Sequence, residues 1–442
     1  MNKPLWQPSE KLKENSLLKG FCNFINFKSS NNFKEIWQWS IDNPRDFWSK
    51  FWDYSKMIGD KGSEIIKKDN VFNKTKFFPD SKLNYTENIL KKKSDKLAIN
   101  FLSEKGFEEN ISWNELYEKV CKFSSYLKKL NLQKGDRVAA YVPNKIESII
   151  CFLACAKNGI IWSSCSPDFG VQGVVDRFKQ IEPKIFITCD YYYYNGKKIN
   201  ILNKVEEILR EIKSIQKVIA FNYNKKEKED LKNFISFEDT LASKLDEVFE
   251  RFEFNHPIYI LFSSGTTGKP KCITHGSGNV LIEHNKEFML HCDIRENEKL
   301  FYYTTTGWMM WNWLVGGLAT GSSIFLFDGA PVYPKIDVLL EYCQNKKINL
   351  FGVSAKYLDH LKNEKYNSKN LDLNSVKIIT STGSPLAEES FKYVYDNIKK
   401  DVHLASIAGG TDLVGCLVLG NLFSSVHKGE IQGQSLGIDV DV

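Results

Sequence analysis

The sequence predicts an α/β protein of two doubly wound lobes, preceded by a mostly helical segment. Three observations lead there. From Leu97 onward, short apolar runs alternate with amphipathic stretches of helical length, the pattern of a parallel sheet with helices on both faces. Before that point, aromatic residues recur three to four apart, as on one face of a helix. Third, the apolar run Tyr259–Phe262 stops abruptly in a loop of hydroxyls, glycines and lysines. Open α/β sheets bind ligands at such strand ends.

Each element follows from local pattern. Residues 1–95 form a helical cap: Ile36-Trp37-Gln38-Trp39 and Phe47-Trp48-Ser49-Lys50-Phe51-Trp52 each place aromatics on one helix face, with no polar constellation beside them. Residues 96–442 form the main domain, with lobes expected at about 96–230 and 231–400. Leu97–Phe101 reads as a strand, and Ser112-Trp113-Asn114-Glu115 as a capping box opening a helix to Leu130. Gly135-Asp136 turns into a strand over Arg137–Val142, then a helix over 145–158 and a strand near 160–164. A helix over 172–181 and strands over 184–188 and 217–221 complete the first lobe. The charge run 224–230 reads as a solvated turn and a seam between lobes. The second lobe is expected to hold the Tyr259–Phe262 strand, helices over 277–291 and 335–345, and strands over 323–327 and 377–381.

Composition bounds the function. The chain has 442 residues, 42% hydrophobic and 13% aromatic, enough for sizeable cores. Its net charge of +6 is small for this length, and only six of the 60 basic residues are arginine. Scattered lysine is poor at bidentate recognition of bases, so no nucleic-acid partner is expected. The ten cysteines include no C-x-x-C pair and sit mostly in apolar runs, which suits reduced buried thiols rather than disulfides or zinc. The N-terminus lacks the apolar core of a signal peptide, and no run reaches the ~18 apolar residues of a membrane span. A cytoplasmic protein with no membrane partner is expected.

The loop Ser263-Ser264-Gly265-Thr266-Thr267-Gly268-Lys269-Pro270-Lys271 suits a polyphosphate. Glycines let the backbone approach the ligand and expose its N–H groups, hydroxyls add donors, and lysines add compact positive charge. It is not a Walker A loop: two residues separate its glycines and Pro270 follows Lys269. Two other motifs are decoys. Asp168-Phe169-Gly170 lacks the other kinase signatures, and Gly433-Gln434-Ser435-Leu436-Gly437 has no downstream His for a hydrolase triad.

The loop resembles the phosphate-binding signature of the adenylate-forming enzymes, the family of acyl-CoA synthetases, luciferases and peptide-synthetase adenylation domains. Three later segments match that family in order: Thr304-Thr305-Thr306-Gly307-Trp308-Met309, Thr380-Ser381-Thr382-Gly383-Ser384-Pro385 and Ser406-Ile407-Ala408-Gly409-Gly410-Thr411-Asp412. Cys165–Gly173, Tyr194-Asn195-Gly196-Lys197, Gly409–Asp412 and Gly429–Gly433 are similar to acetoacetyl-CoA synthetases, one branch of the family.

The resemblance implies the rest. The fold would be the family's N-terminal domain, with its two lobes and the start of a small β subdomain. The reaction would join an acid to ATP with loss of pyrophosphate, then pass the acyl group to CoA. Ser263 to Gly268, Lys269 and Lys271 would hold the β- and γ-phosphates. Thr411 would contact the α-phosphate and Asp412 would hold Mg²⁺. Gly383, Ser384, Pro385, Ala408, Gly409 and Gly410 would flank the nucleoside, and Lys197 would contact CoA phosphate. Trp308, Met309 and Gly409 would shape the pocket for a short 3-oxo acid, glycine at 409 standing where acetate-activating relatives carry an indole. Family members continue past the position of Val442 with a ribose-binding Asp, a hinge and a small domain bearing an adenylation lysine. The chain is therefore expected to be a fragment, weak or inactive alone, whose partner is a C-terminal domain encoded downstream. Two alternatives stay open: a synthetase for acetate or propionate, and a non-catalytic nucleotide-binding remnant.

Overall fold

The computed structural model describes residues 3–28, 31–71, 74–227, 229–263 and 268–441. Two seven-stranded sheets dominate it. In the first, the strands run in the order Ile235–Ser236, Lys217–Phe221, Ile185–Cys189, Arg137–Tyr141, Ile161–Cys165, Pro257–Ser263 and Lys271–Gly276. In the second, the order is His403–Ser406, Ile378–Thr382, Leu350–Ser354, Lys299–Tyr302, Ser323–Asp328, Leu97–Ser103 and Glu108–Ser112. Neighbours in each sheet are parallel except the last pair, which is antiparallel. The parallel strands read as continuous apolar runs because helices cover both faces.

The expected lobe boundary near 230 does not separate the sheets. Pro257–Ser263 pairs with Ile161–Cys165 in the first sheet, while Leu97–Ser103 pairs with Ser323–Asp328 in the second. The strand before the phosphate loop therefore belongs to the sheet assigned to the preceding lobe. Strand existence is a local property; partner choice is not, and a linear cut could not find it.

The helix Ile146–Lys157 lies between the sheets, touching strands of both, and every one of its residues is buried. Its sequence, IESIICFLACAK, is apolar nearly all round, as such a position requires. Phe152 is its centre, with ring contacts to Tyr85, Trp162, Tyr259 and Trp311. The helix Trp113–Lys129 packs alongside and opens with both halves of the Ser112/Glu115 capping box.

The N-terminal segment carries the expected helices, Glu10–Glu14, Leu17–Phe24, Phe33–Asp42 and Pro44–Tyr54. It is laced to the other end of the chain. Leu5 N–H donates to the Val426 carbonyl at 2.8 Å, Trp6 stacks on His403, and the Trp37 indole donates to the Ile438 carbonyl at 3.1 Å. Between these, Ala408–Gly410, Gly415–Leu419 and Gly433–Gln434 form a small three-stranded sheet. Among the described residues, no helix is long and apolar enough to cross a membrane, and nine of the ten free cysteines are buried, Cys272 being exposed.

Candidate active site

The segments that carry the expected site leave the C-terminal ends of parallel strands in both sheets, where open α/β folds form their crevices. The first sheet contributes the turns after Tyr141 and Cys165 and the loop after Ser263. The second contributes those after Tyr302, Thr382 and Ser406.

Hydrogen bonds stitch the two sets together. The Thr306 hydroxyl donates to the Val142 carbonyl at 2.7 Å, and the Ser164 hydroxyl donates to the Thr306 carbonyl at 2.7 Å. Ser164 lies in the first sheet and Val142 directly follows one of its strands, so the segment Thr304–Met309 is fixed across the crevice. Asn144 adds a third tie: its carboxamide accepts from the Trp311 indole at 3.0 Å. Phe169 stacks on Arg177, whose guanidinium also lies over Phe262 at 5.9 Å, so the Asp168-Phe169-Gly170 turn packs beside the strand that feeds the phosphate loop.

Of the phosphate loop, Ser264, Gly265, Thr266 and Thr267 lie outside the described residues. Ser263 ends its strand half-buried, and Gly268 has a φ of +91°, a left-handed turn that favours glycine. Lys269 and Lys271 are exposed, free to meet an anion. Lys271 begins the return strand Lys271–Gly276, which carries His275 inward.

His275 joins this hairpin to the turn between Ala408–Gly410 and Gly415–Leu419 in the small sheet. Its Nε2 lies 2.8 Å from the Thr411 carbonyl, so Nε2 carries the proton and donates. Burial pushes the imidazole below its usual range, which keeps it neutral in that role. Thr411 itself is half-buried and Asp412 exposed. In the same region, Ile407 N–H donates to the Ser381 carbonyl at 2.8 Å and the Thr382 hydroxyl to the Ile407 carbonyl at 2.9 Å. Gly383, Ser384 and Pro385 thus emerge beside Ala408, Gly409 and Gly410, and all but the half-buried Gly410 are exposed.

The turn bearing Thr411 and Asp412 is held by one helix, Ser277–Lys286, and its π-turn extension Glu287–His291. His284 Nε2 donates to the Val414 carbonyl and His291 Nδ1 to the Gly420 carbonyl, at 2.8 and 2.9 Å. Glu287 accepts from Cys416 N–H and the Trp313 indole, both at 2.6 Å. Full burial pushes His284 down to about 4 and Glu287 up to about 8. Val414, β-branched, takes a φ of +51°, a strained conformation imposed by this grip. None of these supports was found by sequence reasoning. The available signal was a segment of helical length that mixes two histidines, two glutamates and a lysine with apolar residues.

Gly409 has a backbone reason of its own. A Cβ built there would lie 2.0 Å from the Gly415 carbonyl oxygen, on the neighbouring strand. The close strand approach demands glycine, and an indole at 409 would require this small sheet to rearrange. Trp308 is 53% exposed at the crevice rim, and Met309, half-buried, begins the helix Met309–Gly316. Lys197 is not tied to these loops by any described contact. Its hairpin, Tyr191–Tyr194 with Lys197–Asn200, is anchored instead by Glu104, which accepts from Asn195 and Gly196 N–H at 2.9 and 2.7 Å.

The donor set suits a magnesium–phosphate pair better than a resident metal. Among the described residues, no group of three or more His, Cys, Asp or Glu could hold a metal ion. One exposed carboxylate at Asp412, with exposed lysines across the crevice, fits a hard cation that arrives already bound to phosphate oxygens.

Comparison with known proteins agrees with this geometry. The AMP-binding enzyme family matches residues 86–433. The chain is similar to the acetoacetyl-coenzyme A synthetase of Rhizobium meliloti (strain 1021), 42% identical over 447 residues, which cover 100% of this chain and 69% of that protein. It is 41% identical over 427 residues to the acetoacetyl-CoA synthetase of Gallus gallus, covering 93% of this chain and 64% of that one. A solved acetoacetyl-CoA synthetase from Streptomyces lividans superposes with a TM-score of 0.93 at 32% identity, over 98% of this chain and 69% of that chain. The chain thus spans about two thirds of the length of the relatives it matches.

Proposed function

Because the chain belongs to the AMP-binding enzymes, within their acetoacetyl-CoA synthetase branch, we propose that it binds ATP·Mg²⁺ and activates acetoacetate as an acyl-adenylate for transfer to CoA. The observation that carries this reading is the convergence of three crevice segments. His275 ties the Lys269–Lys271 hairpin to Thr411, and the Thr382–Ile407 bonds set Gly383–Pro385 beside Ala408–Gly410.

The chemistry needs two anions held together. A carboxylate is a poor acyl donor, and ATP supplies the leaving group it lacks. Positioning and charge stabilisation are what the protein must contribute. Lys269 and Lys271 would offset the terminal phosphates, with Ser263 to Gly268 adding donors. Thr411 would donate its hydroxyl to the α-phosphate, its backbone held by His275, and Asp412 would hold Mg²⁺. The exposed surfaces of Gly383, Ser384, Pro385, Ala408 and Gly409 leave a flat bed for the base. Trp308 and Met309 would wall the acid. Lys197 would meet CoA phosphate only if that anion reaches its hairpin.

Isothermal titration of ATP·Mg²⁺ into the purified chain, followed by exchange of labelled pyrophosphate with acetoacetate, butyrate, propionate and acetate, tests the reading. Weak nucleotide binding is expected of the chain alone, with any exchange strongest for acetoacetate. Absence of ATP binding would overturn it, and a preference for acetate would move the chain to another acid.

A further inference from the structure

The helix Met309–Gly316 buries a polar group that nothing in the fold satisfies. Asn312 is 1% exposed, and both its carboxamide atoms are without a partner among the described residues. An unsatisfied buried amide costs stability, so a native chain keeps one where a ligand completes it.

The helix carries this amide one turn on from Met309, a residue expected to wall the acid. Met309, Asn312 and Gly316 are three and four residues apart and share one face. Met309 stands at the crevice end of that face. At the other end, Gly316 abuts the buried imidazole of His284: a Cβ on Gly316 would lie 2.2 Å from its Nδ1. The His284 proton is committed to the Val414 carbonyl, so Nδ1 is a bare acceptor, and it too is unpartnered. The neighbouring indoles are occupied elsewhere, Trp311 with Asn144 and Trp313 with Glu287. One turn behind Met309 there is therefore a buried, uncommitted amide.

We infer that Asn312 is a specificity-determining residue for the acid, its Nδ2 donating to an oxo oxygen on the third carbon. A plain alkanoic acid of equal length has no atom to offer there and would leave the amide unpaired. This rests on the reading of the crevice as an acyl-adenylate site.

The test is calorimetric binding of two non-hydrolysable sulfamoyl adenylates, acetoacetyl and butyryl, to the full chain, wild type and Asn312→Leu. The wild type is expected to prefer the acetoacetyl analogue by about tenfold or more. Asn312→Leu should abolish that preference, and so should Asn312→Ala. The thermal midpoint of unliganded Asn312→Leu should equal or exceed the wild type's, where a structural amide would lower it. A wild type that binds both analogues equally overturns this inference and leaves the nucleotide reading intact, as does a preference that survives in Asn312→Leu. Failure of both analogues to bind the wild type sinks the two together.

Discussion

At the scale of single residues, the site is a set of backbone demands as much as a set of functional groups. Gly409 and Gly383 look alike in sequence and differ in space. The position of Gly409 is closed by the Gly415 carbonyl, whereas Gly383 has a φ of +88° with nothing within 4 Å of a built Cβ. Gly409→Ala is expected to destabilise the chain by about 1–3 kcal/mol through the clash. Gly383→Ala should cost only the left-handed backbone, about 1 kcal/mol. Urea unfolding of both variants checks this, and equal costs would count against the difference. Asp412→Asn should weaken ATP·Mg²⁺ roughly tenfold or more through loss of a charged oxygen ligand, and leave magnesium-free nucleotide binding largely unchanged. Calorimetry with and without magnesium separates the two. The motif residues stood out because phosphate chemistry favours those residue types, and the structure brings Gly383–Pro385 beside Ala408–Gly410. Their supports were not: His275, His284 and Glu287 act through carbonyls and N–H groups of Thr411, Val414 and Cys416, whose proximity no local pattern encodes.

At the scale of elements, the helix Ile146–Lys157 touches strands of both sheets, and its Phe152 packs on Trp162 and Tyr259 of the first sheet and on Trp311 of the helix Met309–Gly316. Phe152→Ala should cost about 3–5 kcal/mol, since neighbouring rings cannot close the gap. Ser112→Ala, which removes one half of the capping box, should cost about 1 kcal/mol. Chemical denaturation of the pair measures the contrast, and a Phe152→Ala cost near that of the cap would contradict the central placing of this helix. Most elements of the two sheets were readable from period and caps. Two kinds were missed. The strands Glu108–Ser112, Lys271–Gly276, Lys299–Tyr302, Leu350–Ser354 and His403–Ser406 went unread, the first two because an edge strand with a polar face shows no continuous apolar run. The hairpin Tyr191–Asn200 is a run of tyrosines and lysines with no alternation to mark it.

At the scale of the whole molecule, buried ionisable groups set where in pH the fold is most stable. Burial holds His284, His291 and His403 down to about 4, 3 and 4. Below their ordinary value near 6.5 the unfolded chain takes up protons that the folded one refuses, so stability falls as pH drops. Burial acts oppositely on Glu287 and Asp328, raised to about 8 and about 6. The folded chain keeps their protons after the unfolded chain has released them, so their contribution is lost as pH rises through those values. Near pH 5.5 three histidine protons outweigh nearly two carboxyl protons. The net of about one gives a slope of ~1.4 kcal/mol per pH unit, stability rising with pH. Above pH 7 Glu287, and toward pH 9 the buried thiols that burial also raises, keep protons the unfolded chain releases, so the slope reverses. Thermal melts from pH 5 to 9 should therefore peak near neutrality, and a midpoint still climbing at pH 8.5 would contradict this. Lobe membership was the part of the architecture that sequence order hid, because Leu97–Ser103 and Pro257–Ser263 each cross to the sheet expected of the other lobe.

The lacing of Leu5, Trp6 and Trp37 to Val426, His403 and Ile438 bears on how the molecule is made. A ribosome extrudes the first forty residues long before their partners exist. Those indoles must wait until residues 403–438 have emerged, because domains assemble only as their contacts appear. The nascent polypeptide thus carries a sticky leading edge while both large sheets are being made, which is where a holding chaperone would find its grip.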